Sequence, residues 1–123
     1  MKVSELEGAQ LDYWVGKASG VTPRIMDGRC VLDLPRDPLI GPDFVSYEPS
    51  KNWTGGGPII EREAICVFPW RPQDGPERGW AACMGGGHTE SAPQVDGFGS
   101  TYLIAAMRAF VASKYGESVD DLK

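Results

Sequence analysis

The sequence predicts an α+β fold: a small antiparallel sheet, an N-terminal and a C-terminal helix packed on it, and long Gly/Pro-rich loops. Three observations carry that prediction. Both ends of the chain place apolar residues at helical spacing. Between them lie short apolar runs bounded by turn residues, with no strand–helix alternation. Glycine and proline, 16 and 10 of 123 residues, exceed ordinary usage without reaching the level of wholesale disorder.

The first helix is read from Leu11, Trp14, Val15 and Ala18, which form a single apolar face. Ser4 and Glu7 make an S-x-x-E capping box at its start, and Gly20 suits its end. Gly8 and Gly16 weaken it and leave open a start nearer Gly8. Asp27-Gly28 between apolar stretches predicts a hairpin with strands at 24–26 and 29–33. Residues 35–58, with five prolines and Gly55-Gly56-Gly57, read as a long loop packed down by Leu39, Ile40, Phe44, Val45, Tyr47 and Trp53.

Ile59–Phe68 then reads as a strand, paired antiparallel with Gly79–Met84. Residues 85–99 read as a polar, Gly-rich loop. The last helix is the clearest element. Ser100 or Thr101 caps it, Leu103, Ile104, Met107, Phe110 and Val111 form its face, and Gly116 ends it. No repeat and no linker divides the chain, so residues 1–123 are expected to form one domain.

Composition narrows the function classes. No stretch approaches the roughly 18 apolar residues of a membrane span, and the N-terminus lacks a signal-peptide run. A net charge of −5 opposes nonspecific binding to nucleic acid. Three cysteines without a C-x-x-C or a signal peptide point to free thiols in a reducing cytoplasm, with Cys66 buried and inert. The lone His88, even beside Cys83, supplies neither a zinc ligand set nor a nucleophile with an oriented base. No metal, cofactor or catalytic residue is therefore expected.

The candidate binding residues are Tyr47, Ser50, Trp53, Gly56 and Glu61. Trp53 is a loop aromatic, able either to anchor a partner or to pin its own loop. The glycine triplet before Pro58 precedes a predicted strand and lacks the Lys-Ser/Thr of a phosphate loop. Strand alternation puts Glu61 and Glu63 on one face and Arg62 on the other.

Three segments resemble the phage NinX-like proteins, a family with no assigned activity: Glu5–Ala18, Tyr47–Glu63 and Leu103–Gly116. The middle one, Y-x-P-S-x-x-W followed by G-G-P-I-I-E, is the most specific. This chain has Thr101-Tyr102 where the family opens its last helix with Thr-Pro, and its 85–99 loop is expanded. The resemblance implies a phage or prophage gene expressed in a bacterial host, and it carries no catalytic residues. Two readings follow. One is an accessory protein that binds a host or phage protein through residues 47–63. The other sequesters a nucleotide-like ligand, or acts on it, with Lys51, Arg62 and Arg108 as candidates for its anionic group. An enclosed pocket lined by Trp53, the glycines and Glu61 favours the second, and a flat patch favours the first. The charge and aromatics are compatible with a homodimer.

Overall fold

The computed structural model describes residues 1–33, 44–70, 79–84 and 96–120. Within them lie α1 (Gly8–Ala18), β1 (Pro23–Met26), β2 (Arg29–Asp33), β3 (Phe44–Ser46), α2 (Trp53–Glu63), β4 (Cys66–Trp70), β5 (Gly79–Cys83), β6 (Gly97–Gly99) and α3 (Tyr102–Tyr115). A short 3-10 turn, Val3–Glu5, precedes α1. The fold is α+β, as the sequence predicts.

The strands form two sheets rather than one. Both are antiparallel and three-stranded, ordered β1-β2-β3 and β4-β5-β6. Helix α1 packs on β1 and β2, and α3 packs on β4, β5 and β6. The two helices touch each other, so the core runs between them, with α2 against α3. Leu11, Trp14, Val15, Met107 and Phe110 are buried there. Residues 1–3 pair with 117–119: Val3 N donates to Glu117 O at 2.8 Å and Val119 N to Met1 O at 2.9 Å.

The predicted hairpin is present. Asp27 and Gly28 take φ of 52° and 77°, the left-handed pair that a two-residue turn requires. The β4–β5 pairing and α3 are also present, with Thr101 Oγ1 accepting from Ile104 N at 3.1 Å as the cap. The capping box is not. The backbone turns through φ 58° at Gly8, so α1 starts there and Glu7 makes no side-chain cap.

The larger correction concerns residues 44–64. The expected loop contains β3, and the expected strand over 59–68 begins as helix: Trp53–Glu63 is α2, and only Cys66–Trp70 is strand. Gly55, Gly56 and Gly57 thus lie inside a helix, and the strand-face assignment of Glu61 and Glu63 falls with it. Three glycines and Pro58 give this segment poor intrinsic helicity. Asn52 offsets part of that by accepting from Thr54 N at 2.9 Å. Packing supplies the rest. Ile59 is buried, and a side chain at Gly56 would strike Pro49 O and the Leu103 methyl.

At the end of α2, Ala64 takes φ 53°. That conformation costs a non-glycine residue about 1 kcal/mol. Ala64→Gly is expected to stabilise the protein by about that amount. The check is the urea midpoint, and an unchanged or lower one would count against the strain at this position.

Residues 97–99 form β6 where a loop was expected. Cys66 is half-buried rather than buried, and it stands directly opposite the buried Cys83 across the β4–β5 ladder, both as free thiols.

Candidate functional site

A buried hydrogen bond ties the turn between β3 and α2 to α1. Asp12, 1% exposed on α1, accepts from Ser50 N through Oδ1 at 2.8 Å. Burial pushes the Asp12 carboxyl above the ordinary carboxylate range, and the hydrogen bonding of Ser50 opposes that rise. The Ser50 hydroxyl is buried beside the carboxyl without making a well-directed hydrogen bond. Asp12 fixes the position from which α2 starts.

Helix α2 therefore begins beside α3, and Trp53, its first residue, stands at their junction with 57% of its surface exposed. Its ring rests on Tyr102 at 5.0 Å between centroids, tilted by 44°. Tyr102 in turn meets Trp80 edge-on at 5.3 Å. The row is braced on one side and open to solvent on the other. An open groove of about 360 Å³ runs along it, walled by Ser50, Lys51, Trp53, Thr101 and Tyr102.

The five residues singled out from sequence separate into three places. Ser50 and Trp53 line the groove, and Gly56 lies behind it, where α2 meets Pro49 and Leu103. Tyr47 faces α1: its N–H donates to Cys30 O at 2.9 Å, and its half-buried ring sits beside Gly16. Burial raises its phenol pKa, with Ser19 acting in the opposite direction. Glu61 is exposed near the far end of α2 and does not reach the groove. Neither the glycines nor Glu61 are among the residues that line the groove with Trp53.

Tyr102 and Asp12 were missed. Tyr102 stands off the apolar face of α3, and 49 positions of chain separate it from Trp53, so spacing gave no link. Asp12 did leave a trace, since it lies one helical turn before the buried Gly16, beside the apolar face.

Chemistry at the remaining candidates is sparse. Among the described residues no group of three or more His, Cys, Asp or Glu side chains could hold a metal ion. Burial pushes the Cys30 thiol up to about 12 and also raises Cys83, so neither is a ready nucleophile. His88 lies outside the described residues. No helix among the described residues is long and apolar enough to cross a membrane.

No curated protein matches the chain. Residues 2–114 match the family described as Bacteriophage P22, NinX, spanning the turn, the groove and nearly all of both terminal helices, and the chain belongs to that family.

Proposed function

We propose that this protein is a phage-encoded accessory protein that works in the cytoplasm of a bacterial host by docking a host or phage protein at the Trp53 groove. One observation carries the reading: Trp53 is a large aromatic left 57% exposed yet held in place by Tyr102. A pre-positioned aromatic loses little conformational freedom when a partner covers it, and Trp and Tyr are the side chains on which binding energy concentrates. The open form of the groove favours a protein surface over a small ligand, which a pocket would enclose. Nothing in the reading requires catalysis.

The test is affinity capture from phage-infected cells with wild-type protein and Trp53→Ala. The ring is mostly exposed, so the variant is expected to stay folded by far-UV circular dichroism. A partner retained by wild type is expected to fall by about tenfold or more in the variant. Equal retention by a folded variant rejects the groove as the docking site.

A further inference from the structure

A second concavity, of about 370 Å³, lies further along α3, at the seam where the two ends of the chain pair. Arg108 lines it. The Arg108 Nε donates to Leu6 O at 2.8 Å and Nη1 donates to Phe98 O at 2.9 Å. Those two bonds hold the plane of the guanidinium and use two of its five N–H donors. Among the described residues the other three donors make no hydrogen bond.

Among the described residues no carboxylate forms an ion pair with Arg108, and Glu7 acts on it only through its more distant charge. The side chain is half-buried, and burial lowers its pKa. A partly desolvated cation with no carboxylate on its open donors is costly, and an anion reaching those donors would relieve that cost.

The surroundings set the class of anion. Lys2 adds a second cation to the lining. Asp96 and Glu117 also line the concavity and balance those two charges, so a single negative charge is better tolerated than two. Asp96 is engaged at its own carboxylate, where Oδ2 accepts from Met84 N at 2.8 Å. Val3, Ala112 and the 47% exposed Phe98 give the rest of the wall an apolar character. The volume lies in the range of small-molecule sites.

We infer that this concavity binds a small monocarboxylate with an apolar or aromatic body, its carboxylate on the open donors of Arg108 and its body against Phe98 and Val3. The site is separate from the Trp53 groove, and neither proposal depends on the other.

The experiment is a titration of the full chain with 3-phenylpropanoate, followed by amide and Arg Nε–H resonances. Saturable shifts at Gly97, Phe98 and the Arg108 Nε–H are expected. Arg108→Lys is expected to weaken binding by about tenfold or more, because a point charge replaces the planar fork. Lys2→Glu, at an exposed position, is expected to weaken it several-fold, and it decides the matter should Arg108→Lys not fold. Four results would each overturn the inference: no saturable shift up to about 10 mM, equal binding of the alcohol 3-phenylpropanol, tighter binding of inorganic phosphate, or unchanged affinity in a folded variant.

Discussion

Gly97→Ala is expected to cost the protein about 3 kcal/mol, enough to leave much of a marginally stable population unfolded. A methyl group at Gly97 would lie 2.5 Å from Ala109 N and 2.7 Å from Ala105 O. Both are backbone atoms of consecutive turns of α3, and neither can swing aside as a side-chain tip can. To admit the methyl group, β6 must lift off the helix. That also strains the Arg108–Phe98 O bond and the pairing of Gly97 with Ala82. Urea unfolding monitored by circular dichroism measures the loss. A midpoint equal to wild type would show that β6 does not seat this closely on α3.

Asp12 carries the second large effect, and its two natural replacements are expected to diverge. Asp12→Ala leaves the buried Ser50 N–H without its acceptor, a loss of about 2 kcal/mol. Asp12→Asn keeps an oxygen acceptor and removes a buried charge, and its new amide can donate to the Ser50 hydroxyl. At pH 7 its stability is expected to lie within about 1 kcal/mol of wild type, on either side.

The pH dependence separates charge from hydrogen bonding. Folding raises the Asp12 pKa above its unfolded value, so between those two values the folded state binds the extra proton. Over that window the contribution of Asp12 to stability falls as pH rises, and it stays at its lowest above the folded pKa. The difference between wild type and Asp12→Asn cancels the other carboxylates. It is expected to shift against wild type as pH climbs from the ordinary carboxylate range toward neutrality. A flat difference across that range would mean that burial does not perturb this carboxyl.

The parts of the fold legible in the sequence are those where local pattern and tertiary packing agree. Helix α3 has the apolar face, the Thr101 cap and the Gly116 end together, and the Asp27-Gly28 turn needs no distant contact to specify it. Helix α2 is the opposite case. Its glycines and Pro58 argue against helix, and what overrides them is the approach of Gly56 to Pro49 and Leu103, two surfaces that meet only once the chain is folded. Because α2 was hidden, so was the geometry of the groove: Trp53 was visible as a candidate, but not its support by Tyr102. Tyr47 and Glu61 share the Trp53 segment in sequence, yet the turn at Ser50 and the length of α2 carry them to different faces.

The central place of α3 bears on how the protein comes into being. This helix touches β4, β5, β6, α1, α2 and the 3-10 turn, and among the described residues it follows all of them in the chain. A nascent chain that ends before residue 102 carries both sheets and two helices but lacks the helix that covers β4, β5 and β6 and joins them to α1. Its apolar faces stay open until α3 has cleared the ribosome. Folding then joins segments about 100 residues apart, as in the bond from Arg108 to Leu6 O across 102 positions. The two sheets are therefore joined into one core only once α3 has been made, and until then the incomplete chain is open to chaperones and proteases.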